Sequence, residues 1–313
     1  MSSLTSRIVV AYESSLFALI SADAPLKKLS GSALHSEGPV YCPEDDSVIW
    51  SDVKGNRLLK WSADTGTQTI RSPSHYQNGN FRDLDGRIVS CSHGRRAIIR
   101  QEHCGSWSVL VDRYREKRLN SPNDLVVKSD GTIWFTDPPF GLTQPGEGYE
   151  GLQEQAGSFV YRYDPHSNKL TAVITEMERP NGLAFNSDES ILYVTDTSQV
   201  NYAAGHHYVR AYDVDSAGNV SNGRVFTKIS PGQPDGLIVH TCGYLCISSA
   251  DSIQVYNPAG TCLGKILVPE VVTNLTIGGH RSNTMFITAG KSLYSIQLVQ
   301  TSTQSMCGRM SFP

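Results

Sequence analysis

No stretch of the 313 residues approaches 18 consecutive apolar side chains, so nothing reads as a membrane-crossing helix. Charge of either sign is modest. Lys and Arg number 27 against 30 Asp and Glu, and the net charge of −3 lacks the basic footprint that nucleic acid or an anionic lipid surface requires. Helical periodicity is nearly missing, and residues 14–24 are the one stretch that fits a short helix. Glu13 interrupts the N-terminal region where a secretion signal needs an unbroken apolar core, which points to a cytoplasmic protein. Seven cysteines, an odd number without a CxxC pair, exclude a disulfide framework and a zinc ribbon and read as reduced thiols. Also missing are a Gly-x-Ser-x-Gly elbow, a His-Glu-x-x-His pair, a phosphate-binding loop and a dinucleotide fingerprint. A serine nucleophile and a redox cofactor thereby lose their usual supports.

What the chain does have is a repeat. In SPNDLVVKSDGTIWFTD, residues 121–137, a polar marker opens a short apolar run, a Ser-Asp-Gly turn follows, and a second run ends on Asp137. This predicts two strands joined by a tight turn. The same phrase recurs with Glu37, Asn78, Asn181, Asp235 and Asn274 in the place of Asn123, at intervals of 39 to 58 residues. Each copy leaves room for two further strands, and the longer intervals hold insertions at 144–156 and 198–205. Repeats of this length, built of short strands, predict an all-β, six-bladed propeller with four-stranded antiparallel blades around a central channel. Residues 1–24 are expected to precede the propeller, 25–300 to form it, and 301–313 to trail as a mobile tail. To close the ring, 25–34 should add the outer strand of the last blade.

In a propeller the innermost strands line the channel, so the six markers converge. Glu37, Asn78, Asn123, Asn181, Asp235 and Asn274 form a ring of two carboxylates and four amides, without Cys or His. Oxygen donors of this kind suit Ca²⁺, Mg²⁺ or Mn²⁺ better than zinc. Asn-Gly and Asp-Gly are also ordinary turn dipeptides, and any one alone reads as a turn. Glu37 has no such turn role, and two acids facing a narrow channel repel unless a cation sits between them. The ring therefore reads as a metal site with Glu37, Asn181 and Asp235 as ligands. Asp52, Asp137 and Asp196 end the second strand of their copies and read as hairpin chemistry. His93 falls in that phase too, facing either the channel mouth or a structural partner. His206 and His207 read as solvated, and Trp50, Trp107 and Trp134 as blade core.

The phrases SEGPVY…WSD, LNSPNDLVVKSDGTIWFTDPPFG, RPNGLAFNSDESILYVTD and QPDGL resemble the SMP-30/gluconolactonase/luciferin-regenerating family, above all its bacterial gluconolactonase branch, across nearly the whole chain. The resemblance implies a six-bladed propeller with one divalent metal in the channel, Ca²⁺ first and Zn²⁺, Mg²⁺ or Mn²⁺ as alternatives. It implies Glu37, Asn181 and Asp235 as ligands, with Asn123 touching metal or substrate. The animal branch carries an Arg two residues before the equivalent of Asn123, where this chain has Ser121. Recognition of sugar hydroxyls then falls to Asn120, His93 or Arg95. The implied reaction is hydrolysis of an aldonolactone such as glucono-1,5-lactone, the metal polarising the carbonyl and Asp235 serving as ligand and general base. Two rival readings stand beside it: another hydrolase on the same metal, acting on organophosphates, aryl esters or acyl-homoserine lactones, and a calcium-binding scaffold without turnover. The partner expected is a small sugar lactone, with no nucleic acid and no membrane, and the chain is expected to be a monomer or weak homo-oligomer.

Overall fold

The turn at Ser129–Gly131 joins Leu125–Val127 to Ile133–Asp137, with Leu125 opposite Phe135 and Val127 opposite Ile133. Gly131 takes φ +82°, a conformation that costs other residues steric strain, and its N–H donates to the Lys128 carbonyl at 2.9 Å. Phe159–Asp164 and Lys169–Ile174 complete this sheet as the third blade. In the computed structural model, which describes residues 7–300, the phrase folds in the same manner six times.

The first blade comprises Ser36–Cys42, Ser47–Asp52, Arg57–Ser62 and Gly66–Arg71, and the second runs from Gln77–Arg82 to Trp107–Val111. The fourth runs from Pro180–Phe185 to Val220–Lys228, the fifth from Leu237–Val239 to Cys262–Leu267, and the sixth holds Val272–Gly278, Thr284–Ala289 and Ser292–Gln297. All pairings are antiparallel. Lys27–Ser30 adds the outer strand of the sixth blade, so the expected closure by 25–34 holds. The ring is a six-bladed β-propeller.

The N-terminal region is tied in more deeply than the boundary at 25 anticipates. Val9–Ala11 pairs with Cys262–Leu267 as a fifth strand of the fifth blade. Of the anticipated helix at 14–24 only a 3-10 turn forms, Ser14–Ala18, and Leu16, Leu19 and Ile20 are fully buried beside Ile266, Met285 and Ile296. The anticipated tail at 301–313 lies outside the described residues. Among the described residues no helix is long and apolar enough to cross a membrane, and the six described cysteines are free thiols.

The core consists of layers between neighbouring blades. Trp134 and Val160 of the third meet Leu183, Val194 and Tyr212 of the fourth, and Trp50 and Leu59 of the first meet Phe286 and Leu293 of the sixth. Trp50 and Trp134 are fully buried, and truncating either to Ala costs about 3–5 kcal/mol. Trp107 departs from the blade-core reading. It is half-buried, with the Arg71 guanidinium 4.4 Å from its ring.

Candidate functional site

At four of the six markers the innermost strand bulges: its register slips between Glu37 and Val40, Gln77 and Asn80, Pro180 and Leu183, and Val272 and Asn274. A bulge beside a site turns one side chain out of the ladder, here toward the axis. The glycine after the marker is required by close approach rather than by a turn. A Cβ on Gly38 would stand 2.2 Å from the Asn78 carbonyl oxygen, and one on Gly182 would stand 2.4 Å from that of Asp235. Gly79 N–H donates to Asn123 O at 2.8 Å. The inner strands thus touch backbone to backbone around the axis, and the marker side chains share a narrow channel.

A second repeated device fixes these backbones. Strand two of blades one, three and four ends in Ser51-Asp52, Thr136-Asp137 and Thr195-Asp196. The hydroxyls donate forward to the next marker's carbonyl in the first and fourth blades: Ser51 to Asn78 O at 2.6 Å and Thr195 to Asp235 O at 2.7 Å, with Thr136 likewise reaching Asn181 O at 2.7 Å. The carboxylates accept from the loop leading into their own blade's marker. Asp52 accepts from Leu34 and His35 N–H at 2.8 and 3.0 Å, Asp137 from Asn120 N–H at 2.8 Å, and Asp196 from Glu178 N–H at 3.0 Å. All three are fully buried. This is the hairpin chemistry expected of them, extended to holding the site.

Glu37, Asn78, Asn123, Asn181 and Asn274 are buried, and Asp235 is partly open to the channel. Burial pushes the proton affinity of Glu37 well up, and the nearby charges of Asp235 and Asp124 push it further. Asp235 is raised by its low-dielectric surroundings and then by Asp124 and Glu147, while a hydrogen bond from Asn181 pulls it back. Carboxylates held against one another in this way form a donor set that a hard divalent cation would relieve, so the residues fit such an ion. Among the described residues no three His, Cys, Asp or Glu side chains group as a metal cluster, so the amides would have to complete the shell.

Two acids at the site escaped the sequence reading. Asp124 occupies the position that is glycine in four other copies, and that substitution is the signal that could have found it. Its Oδ2 accepts from Asn274 Nδ2 at 3.0 Å, across the axis from blade six to blade three. Burial raises Asp124 to about 7, with the Asn274 bond opposing the rise. This pair gives Asn274 its role. It floors the ring, and beneath it a cavity of about 580 Å³, lined by Leu125, Phe185 and Ile277 among others, opens to the opposite face. Glu147, the other acid, comes from the insertion at 144–156, which has no place in the repeat. It is buried, 3.6 Å from Lys54 Nζ.

The remaining predicted residues sit around the mouth in different roles. His93 is buried; Nδ1 donates to Glu147 O at 2.7 Å, which leaves Nε2 to accept from Asn78 Nδ2 at 3.2 Å. Burial lowers it to about 4. Asn120 is fully buried, its amide donating to the carbonyls of Asp137 and Gly157. Ser121 Oγ donates to Pro138 O at 2.6 Å and accepts from Gly141 N–H at 2.9 Å. Arg95 is half-buried, with its Nε unpartnered, close enough to Arg71 and His75 for its charge to act on both. His206 and His207 are not simply solvated. His206 stacks on Tyr208 with ring centres 4.6 Å apart and reaches Asp196, and His207 is bonded to Ile229 O at 2.6 Å.

The family model for the SMP-30/Gluconolactonase/LRE-like region matches residues 35–291. A gluconolactonase of Zymomonas mobilis is 30% identical over 90% of this chain and 83% of its own. A pentonolactonase of Haloferax volcanii is 27% identical over 80% of each chain. Among solved structures, that of a gluconolactonase from Xanthomonas campestris superposes with a TM-score of 0.86 at 37% identity, covering 93% of this chain and 94% of that one. A matched region that takes in the first ring position, the last and every blade between them makes this chain a member of the SMP-30/gluconolactonase/LRE-like family.

Proposed function

We propose that this chain hydrolyses sugar lactones, opening a ring such as that of glucono-1,5-lactone to the aldonic acid, with one divalent cation, Ca²⁺ first, held by Glu37, Asn181 and Asp235 and flanked by Asn123. The observation that carries the reading is the pair of carboxylates, Glu37 and Asp235, forced together with amides at one end of a floored channel. The lactonase names of the relatives that align over most of the chain agree with it. When bound, the cation supplies a Lewis acid for a carbonyl oxygen and compensates the clustered negative charge.

The residues supply the rest. Asp235, open on one side to the channel, takes a proton from a water as that water adds to the lactone carbonyl carbon. The ring C–O bond then breaks, and the proton passes to the departing ring oxygen, so the product is one open hydroxy acid. Asn123 has an amide at the channel to donate to the lactone carbonyl. The Asp124–Asn274 floor admits substrate from one side only. A cyclic ester is reactive enough that this electrostatic help suffices without a covalent nucleophile.

A pH-indicator assay on glucono-1,5-lactone, run after EDTA treatment and again with single cations restored, tests the reading. Activity should vanish and return with one cation. Asp235→Ala should lose at least about a hundredfold in kcat and should lose calcium binding in a calorimetric titration. Hydrolysis indifferent to chelation, or a fully active Asp235→Ala, would refute the proposal.

A further inference from the structure

Two of the side chains that the sequence offers for reading a sugar's hydroxyls, His93 and Asn120, are committed elsewhere. Both His93 nitrogens are used, one on the 144–156 loop and one on Asn78. The Asn120 amide is spent on two blade carbonyls, and the Ser121 hydroxyl both donates and accepts within its own loop. Arg95 is half-buried near Arg71 and keeps its Nε unpartnered, so it carries charge at the mouth without a fixed acceptor. Two further charged groups at the mouth, Glu147 and Lys54, face each other without a hydrogen bond between them.

Their placement is well defined. The loop bearing Glu147 is fastened over the mouth by His93 to Glu147 O, by Tyr149 edge-on to Tyr76 with centres 5.1 Å apart, and by Gly148 so close to Gly141 that a Cβ would meet its carbonyl at 2.1 Å. Farther along, Gln155 Nε2 donates to the carbonyls of Tyr114, Lys117 and Arg118. Lys54 comes from the turn between Ser47–Asp52 and Arg57–Ser62 of the Glu37 blade, and is 43% exposed at its side chain. Lys54 Nζ and Glu147 Oε1 are 3.6 Å apart, longer than a hydrogen bond, so each keeps donor or acceptor capacity. Gln144, its NH₂ turned toward Glu147, stands 3.1 and 3.2 Å from the two oxygens and orients them.

We infer that Glu147 and Lys54 are the specificity pair of this site, the carboxylate accepting from hydroxyls of the lactone ring and the ammonium donating to a hydroxyl oxygen, so that polyhydroxylated lactones are preferred over bare ones. The inference rests on the lactonase reading above. A carboxylate accepts two vicinal O–H groups with the geometry that sugars present, and a site built to bond hydroxyls discriminates strongly against analogues lacking them. The two residues bind and orient; they take no part in the proton transfers.

Steady-state hydrolysis of glucono-1,5-lactone and of δ-valerolactone, the same ring without hydroxyls, by the full chain as wild type, Glu147→Gln and Lys54→Met tests this. The ratio of kcat/KM for the two lactones should fall at least tenfold in each variant, with the change in KM for gluconolactone. Lys54 sits on an exposed turn, so Lys54→Met keeps the test open should Glu147→Gln fold poorly. A ratio unchanged in Lys54→Met, or an equal loss on both lactones in Glu147→Gln, overturns the inference while leaving lactone hydrolysis intact. A wild type that opens neither lactone overturns the lactonase reading itself and this inference with it.

Discussion

Blades one, three and four carry a Ser-Asp or Thr-Asp step at the end of their second strand; blades two, five and six do not. In the second, Ser92 Oγ donates to His75 O at 2.8 Å; in the fifth, Ser248 Oγ accepts from Asp235 N–H at 2.8 Å; in the sixth, Thr288 Oγ1 accepts from Asn274 N–H at 3.1 Å. The carboxylate-clamped blades present Glu37, Asn123 and Asn181, three of the four residues of the proposed site. The fourth, Asp235, borrows its clamp from Thr195 of the blade before. The clamps fall on the blades that supply the proposed cation site, as suits a site in which an oxygen ligand displaced by a fraction of an ångström is a weaker one.

Between the two sets of blades, the largest difference should come from removing a clamp. Asp196→Ala strands the N–H groups of Glu178 and Ser198, each 3.0 Å from the carboxylate, in a buried setting. We expect a loss of about 3 kcal/mol by urea denaturation, against about 1 kcal/mol for Ser92→Ala in the second blade. Equal losses would erase the distinction between the two sets of blades.

The next effect depends on pH. Where three blades have a carboxylate clamp, the second has His93, which burial lowers from 6.5 to about 4. A depressed histidine leaves the unfolded chain binding the extra proton, so its contribution is intact above pH 6.5 and is lost as pH falls toward 4. The stability advantage of wild type over His93→Asn should shrink by about 2–3 kcal/mol between pH 7 and pH 4. A gap independent of pH would show that His93 is not held neutral. The smallest effect is expected of Thr195→Val, about 1 kcal/mol in stability, with a measurable weakening of calcium binding through Asp235.

Much of this was legible in the residues. Short apolar runs on either side of a polar turn announce the inner hairpins, two of them through Asp-Gly, and the recurring marker sets the phase of all six blades, because in a propeller equal sequence phase means equal distance from the axis. Asn-Gly was harder to read. The dipeptide looks like turn chemistry, yet in the fold it lies in a bulged inner strand, where glycine lets two backbones meet. Asp124 was visible only as the exception to that glycine. Glu147 carries no phase, because it lies in an insertion; Lys54 shares the turn position of Arg95, and only the folded loop brings Glu147 and Lys54 together. Val9–Ala11 was missed because its partner strand lies roughly 250 residues away and nothing local announces it.

That distant pairing shapes how the chain is made. At about 5–20 residues per second, roughly 10 to 50 s of synthesis separate the emergence of Val9 from that of Ile266. During this interval the first apolar strand, and Lys27–Ser30 after it, wait with unpaired edges while the first four blades can already assemble behind them. The last two blades then close upon the oldest part of the nascent chain. A ribosome that stops early releases a ring with a gap and two unsatisfied strands, a form suited to pairing with another chain and open to proteolysis.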